Sequence, residues 1–333
     1  MNMFIKIIIL FSLSLTSAFS ASKVIGGEMH HTPDWFKVGF LDFNEDAEEA
    51  AKNGKHLMLF LDLDGCPYCT KMIKDNLSEG TSNIEYAKKV LDVVQINVKG
   101  SREITWKDDE TMSEKTFAQA MNAPFSPTMI FFDGELNEVL RLNGYRNPSK
   151  FKIVLDYINN KYYKEMTLSQ YMKKVKTKNI YELKDNQHFK KITDLSNISK
   201  PLLVIFESSD CSDCKIFHEN TLKDEYFNKA ISEYTVVRFD SNSNEDIITP
   251  EGNKTTPQEW VKEIDLDYRP GMLLYNEGIL QETVDALLYK FHLAELLNYV
   301  SFKEYENHNT YLDYLRVKQV ELLSEGKTID LGK

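Results

Sequence analysis

Lys55-His56-Leu57-Met58-Leu59-Phe60-Leu61 leads through a short turn into Cys66-Pro67-Tyr68-Cys69. Lys200-Pro201-Leu202-Leu203-Val204-Ile205-Phe206 leads in the same way into Cys211-Ser212-Asp213-Cys214. Each apolar run reads as a strand covered on both faces, because it lacks the alternation of a half-exposed strand. Each cysteine pair opens a stretch of helical pattern, Thr70 to Leu77 and Lys215 to Leu222. The chain has 4 cysteines, all in these two pairs, so none is left for structural bridges. A disulfide across so short a spacing constrains little of the unfolded chain, which favours reactive dithiols over staples.

The repeat extends well past the cysteines. A second strand follows in each half, Val90 to Val98 and Tyr234 to Phe239. Ser126-Pro127 then precedes Thr128-Met129-Ile130-Phe131-Phe132, and Arg269-Pro270 precedes Gly271-Met272-Leu273-Leu274-Tyr275. Both strands run into hairpin-type turns, Asp133-Gly134-Glu135 and Asn276-Glu277-Gly278. Thr256, Pro257 and Glu259 give the helix of the second half a capping-box start. Each half closes with a helix, ending near Tyr157-Ile158 and Tyr299-Val300, and a trailing helix opens at Thr167 and at Thr310. The domains are therefore placed at 30–172 and 191–333, each with its trailing helix, joined by a Lys-rich linker at 173–190.

Residues 1–20 read as a cleaved signal peptide. Lys6 supplies the positive start, Ile7 to Leu15 a short apolar stretch, and Ala18-Phe19-Ser20 a small-x-small cleavage site. The apolar stretch falls short of the roughly 20 residues that span a bilayer, and no cysteine beside the cleavage site offers a lipid anchor. The expectation is a periplasmic or secreted protein with no stable membrane insertion after cleavage, in a compartment that permits disulfides. A length of 333 residues suits two domains, and 42% hydrophobic residues with 12% aromatics suit packed cores. A net charge of -11 argues against nucleic acid as a partner.

The order strand, CxxC, helix, strand, helix, proline-led hairpin, helix resembles the thioredoxin fold in both halves. The whole chain resembles the exported thioredoxin-related, SoxW-like proteins. In the first half the resemblance rests on Asp34-Trp35-Phe36, Gly65-Cys66-Pro67-Tyr68-Cys69, Ser126-Pro127-Thr128 and Gly144-Tyr145. In the second it rests on Glu259-Trp260, Tyr268-Arg269-Pro270 and Tyr299-Val300-Ser301. It implies an α/β protein of two tandem thioredoxin-like domains, each a central mixed sheet flanked by helices. It implies a thiol–disulfide oxidoreductase, foremost a reductase of protein or small-molecule disulfides, recharged by a membrane electron donor. A disulfide oxidase or isomerase is an alternative, as is a binding scaffold or chaperone with a non-catalytic second domain. The resemblance further implies that Pro127 and Pro270 are cis and lie against the dithiols. Pro67, Tyr68, Ser126, Pro127, Arg269 and Pro270 would then border a bound substrate. No cofactor is called for.

A cysteine at a helix start faces unpaired N–H groups and the positive end of the helix dipole, which stabilise the thiolate. Cys66 and Cys211 are the expected nucleophiles, and Cys69 and Cys214 would resolve the mixed disulfides. Asp210 and Asp213 flank Cys211 and disfavour its thiolate, so the second couple is expected to be the more reducing. Electrons would then flow from the second domain to the first. Thioredoxins carry a buried Asp upstream of the nucleophile where this chain has Phe60 and Ile205. Asp62 and Glu207 are candidate substitutes for proton transfer, or else solvated strand-end carboxylates. Arg269 stands where a small or β-branched residue is usual. A shared zinc site is disfavoured, since paired CxxC zinc motifs lie about 15–20 residues apart. His218 is read as a surface or packing residue, and His30-His31 as an exposed pair.

Overall fold

The strand His56–Asp62 is buried along its whole length and forms the centre of the first sheet. It runs parallel to Leu91–Asn97 and antiparallel to Thr128–Phe132, which folds back onto Glu138–Asn143. The Asp133 carboxylate makes that turn by accepting the N–H groups of Glu135 and Asn137. This computed structural model of the chain describes residues 22–123, 126–175 and 181–332, so the expected signal segment lies outside the described residues.

Side-chain alternation along the strands divides the core in two. Phe60, Met129 and Phe131 pack on one face with Met72 and Phe151. Leu57, Leu59, Leu61, Ile130 and Phe132 pack on the other with Phe43 and Phe117. The covering helices are α1 (Phe43–Lys52), α2 (Pro67–Met72), α3 (Ile84–Val90), α4 (Glu114–Ala120) and α5 (Pro148–Asn159). The helical stretch expected to Leu77 is α2 followed by a π-helical turn, Ile73–Leu77. The trailing helix α6 (Leu168–Lys174) starts on a reciprocal cap between Thr167 and Gln170.

The second sheet repeats this order, with Leu202–Glu207 parallel to Thr235–Asp240 and antiparallel to Gly271–Asn276, which pairs with Ile279–Val284. Its helices are α7 (Ser212–Glu219), α8 (Glu225–Ile231), α9 (Pro257–Glu263), α10 (Lys290–Ser301) and the trailing α11 (Tyr311–Ser324). Thr256 caps α9 through the Glu259 N–H, as the sequence suggests.

One boundary differs from the sequence reading. Phe189–Lys190, placed in the linker, forms an edge strand parallel to Thr235–Asp240 and belongs to the second sheet. The physical reason is the Phe189 ring, which packs against Arg238 and His218. Charged neighbours in the sequence conceal that single anchor.

The two domains are in contact. Leu287, Leu288 and Tyr289, between the second sheet and α10, pack against the core of the first domain. Gly144, at φ +76°, permits the approach, because a Cβ there would lie 2.4 Å from the Ala286 Cβ. Val24–Ile25 near the start of the described chain pairs in parallel with Ile329–Asp330 near its end. Among the described residues, no helix is long and apolar enough to cross a membrane.

Candidate active site

Both cysteine pairs sit where a central buried strand turns into a helix, and both are closed as disulfides with Cα atoms 5.3 and 5.2 Å apart. Gly65, at φ +73°, shapes the first turn, and a Cβ there would lie 2.8 Å from the Gly27 carbonyl oxygen. Cys66 is the N-cap of α2, with its sulfur accepting the Cys69 N–H at 3.1 Å. Cys211 is the N-cap of α7, and its sulfur accepts the Cys214 N–H at 2.8 Å. The same N–H would stabilise either sulfur as a thiolate after reduction. Cys66 is 6% exposed and Cys211 3%, whereas Cys69 and Cys214 are fully buried. That ordering matches an attacking and a resolving sulfur in each pair.

The peptide bonds Ser126-Pro127 and Arg269-Pro270 are cis. The Cys66 sulfur lies 3.4 Å from the Ser126 carbonyl oxygen, and the Cys211 sulfur 3.2 Å from that of Arg269. The Arg269 side chain turns away to its own loop, donating to the carbonyls of Leu266 and Tyr268 at 2.8 Å each. It thus shapes the loop that presents its carbonyl to Cys211. Pro67 occupies the first turn of α2.

Tyr68 is claimed by the second domain. Its ring stacks on Tyr289 with centroids 4.8 Å apart. Its hydroxyl accepts the Tyr289 N–H at 3.0 Å and lies 2.7 Å from His292 Nδ1. With that N–H accepted, the hydroxyl proton points to a neutral imidazole, in keeping with burial that pushes His292 down to about 4. The first domain reaches back over the second dithiol. Asn147 donates to Ser212 Oγ at 3.1 Å and to Asp213 at 3.4 Å, and Lys150 pairs with Asp210 at 3.1 Å. Both aspartates beside Cys211 are therefore engaged, Asp213 also accepting the Tyr268 hydroxyl at 2.8 Å. Burial pushes the Asp213 carboxyl up, opposed by its bonds from Tyr268 and Asn147. A groove of about 710 Å³ between the domains is bordered by Lys71, Asp213, Phe217, Tyr268, Pro270 and Tyr289.

Asp62 and Glu207 are both buried, with side chains 3% and 0% exposed. The solvated strand-end alternative is thereby removed for both. Each carboxylate meets a histidine that sequence reasoning set aside. His30 Nε2 lies 2.6 Å from Asp62, and His218 Nε2 lies 2.9 Å from Glu207. His218 follows Cys214 by one helical turn on α7, a spacing that signals a shared face. His30 carries no such local signal, since its partner is set by tertiary packing of the segment before α1. Tyr181, from the stretch read as linker, packs on Cys211 and Cys214 and donates to Glu207 at 3.4 Å.

The thioredoxin-like domain family matches the chain twice, over residues 43–159 and 189–301. A thioredoxin-fold protein from Helicobacter pylori is 24% identical, with 40% of this chain and 95% of that one covered at a TM-score of 0.34. A thioredoxin from Thermus thermophilus is 20% identical, covering 41% of this chain and 87% of that one at a TM-score of 0.28. A DsbH oxidoreductase is 14% identical, covering 39% of this chain and 91% of that one at 0.28. No curated protein matches the chain.

Proposed function

Because the chain belongs to the thioredoxin-like domain family and carries a CxxC dithiol in each of its two domains, we propose that it is an exported thiol–disulfide oxidoreductase working as a disulfide reductase. The observation that carries this reading is the repeated geometry of a helix-capping cysteine held against the carbonyl before a cis proline. The nucleophile thiolate attacks a substrate disulfide to give a mixed disulfide. The buried partner cysteine then displaces the substrate thiolate and closes the CxxC bridge. Backbone beside each proline would pair with an extended substrate segment, as in strand addition. Export follows from the signal-like residues 1–20, and a membrane electron donor would return the dithiols to the reduced state.

Within the pair of domains, electrons flow from Cys211/Cys214 to Cys66/Cys69, supported by the two aspartates beside Cys211. A second reading has one specific support. Asn147 and Lys150 of the first domain close over the Cys211 turn, as expected if the second domain docks partners without turnover. Cys69→Ser and Cys214→Ser variants, produced in an exporting cell, separate the two readings. Mixed disulfides trapped at both remaining nucleophiles support two catalytic domains. Trapping at Cys66 alone supports a docking second domain, and trapping at neither overturns the oxidoreductase reading.

A further inference from the structure

The loops that border the two cis prolines face each other across the domain contact. In the first domain the Gly144 N–H donates to the Pro127 carbonyl at 2.7 Å, so residues 144–147 start beside that proline. In the second, the Asp285 carboxylate accepts the N–H groups of Asp267 and Tyr268, which ties the segment after Ile279–Val284 to the turn before Pro270. Gly144 and Ala286 then meet, where a further Cβ finds no room. The Arg146 guanidinium lies over the Tyr268 ring, 5.6 Å from its centroid. Each domain thus turns toward the other the surface that would receive an extended substrate.

Each dithiol is also covered from elsewhere in the chain. Over Cys211 the space left for water-sized molecules is about 40 Å³, and Arg146, Asn147, Lys150, Leu168 and Met172 of the first domain close it. That space holds a few waters and falls far below the roughly 300 Å³ at which ligand pockets begin. Leu168 and Met172 lie on α6, so the trailing helix of the first domain contributes to the cover on the second dithiol. The larger groove between the domains borders Asp213 and Pro270 but none of the four cysteines. At the first dithiol, Tyr68 is packed against Tyr289 and His292. The turn at Gly65 meets Gly27, whose carbonyl oxygen would lie 2.8 Å from a Cβ at that position. Gly27 follows Val24–Ile25, the strand that pairs with Ile329–Asp330 beyond α11. These two segments from opposite ends of the chain form a strap beside Cys66.

We propose that this arrangement is a closed form in which each domain occupies the substrate face of the other, and that a disulfide-bearing protein reaches either dithiol only after the domains part. The proposal rests on the oxidoreductase reading and adds to it a control on access. The contacts suit reversible closure. The pair of Lys150 with Asp210 is partly solvated, and Asn147, Ser212 and Asp213 exchange their mutual hydrogen bonds for water when the faces separate. Leu287, Leu288 and Tyr289 supply the apolar share. Parting breaks no covalent bond, since each disulfide lies within one domain.

The test uses the mature chain carrying Cys66→Ser and Cys69→Ser, reduced so that the second dithiol alone reports. Ala286→Trp crowds Gly144 and adds no charge near the sulfur. Asn147→Asp with Lys150→Glu keeps the acceptor that caps α5 and sets like charges against Asp213 and Asp210. Each variant should show a larger radius of gyration in small-angle scattering. Each should also speed labelling of Cys211 by a polyethylene glycol maleimide on the order of tenfold or more. Single-turnover reduction of insulin should speed by the same factor. A parent chain already parted in solution, or labelling as slow in both variants as in the parent, would overturn the proposal and leave the oxidoreductase reading intact. Faster labelling without insulin reduction in any chain would instead overturn the oxidoreductase reading and leave closure standing.

Discussion

Replacing Tyr68 by Phe removes one oxygen from the contact between the domains and leaves the aromatic stack in place. In the parent chain that oxygen accepts the Tyr289 N–H at 3.0 Å and lies 2.7 Å from His292 Nδ1. The variant leaves the buried His292 Nδ1 and the half-buried Tyr289 N–H unpaired, at about 1–3 kcal/mol for each. The combined cost is therefore about 2–6 kcal/mol. Tyr68 belongs to the first domain and both partners to the second, so the cost falls on their docking and not on either core. A loss of about 3 kcal/mol raises the undocked fraction on the order of 10²-fold. Cys66 is 6% exposed in the docked form, so its alkylation reports undocking. In a Cys211→Ser/Cys214→Ser chain under reducing conditions, Tyr68→Phe should speed alkylation of Cys66 by up to that factor. Equal rates in parent and variant, with both folded, would refute docking as the control on access to the first dithiol.

Four further outcomes are expected. Burial depresses His292 from 6.5 to about 4 in the folded chain, so the unfolded chain binds the extra proton first. Its stabilising contribution is complete above about 6.5 and is lost as the pH falls to about 4, roughly 3 kcal/mol in all. His292→Gln should flatten that slope in denaturant titrations, and an unaltered slope would exclude His292 as its source. Asp267 has the opposite sign, since burial and then the charges of Asp285 and Asp265 raise it to about 6. Stability from this group is complete below about 4 and declines as the pH rises through about 6, so Asp267→Asn should raise the unfolding midpoint above pH 6 and leave it nearly unchanged below about 4. Redox titration of single-dithiol chains should find Cys211/Cys214 the more reducing couple, and the reverse order would refute electron flow from the second domain to the first. Lys150→Ala should speed alkylation of reduced Cys211 by several-fold, because the pair with Asp210 is partly solvated and worth about 1 kcal/mol or less. No change would show that the Lys150 latch does not cover that sulfur.

The doubled fold was legible in the sequence because its signals are local. An all-apolar strand, a CxxC at a helix start and a proline-led hairpin each lie within a few residues, and each occurs twice. The capping residues Thr167, Thr256 and Thr310 were readable for the same reason: each holds an N–H three residues on. What escaped was long-range. Tyr68 and His292 are 224 positions apart, and nothing near either residue marks the other as its partner. His30 reaches Asp62 only because the segment before α1 folds back onto the first sheet. Tyr181 lay in a Lys-rich stretch whose charge masked its anchoring role. His218 is the exception, since its spacing from Cys214 on one helix face was available to read.

Insulin reduction with dithiothreitol as electron source, followed by turbidity, tests dithiol catalysis most directly. The mature chain should accelerate precipitation of the insulin B chain, Cys66→Ser should remove most of that turnover, and Cys66→Ser/Cys211→Ser all of it. A parent chain that gives no acceleration, or turnover that survives loss of both nucleophiles, would contradict thiol–disulfide exchange as the work of this protein.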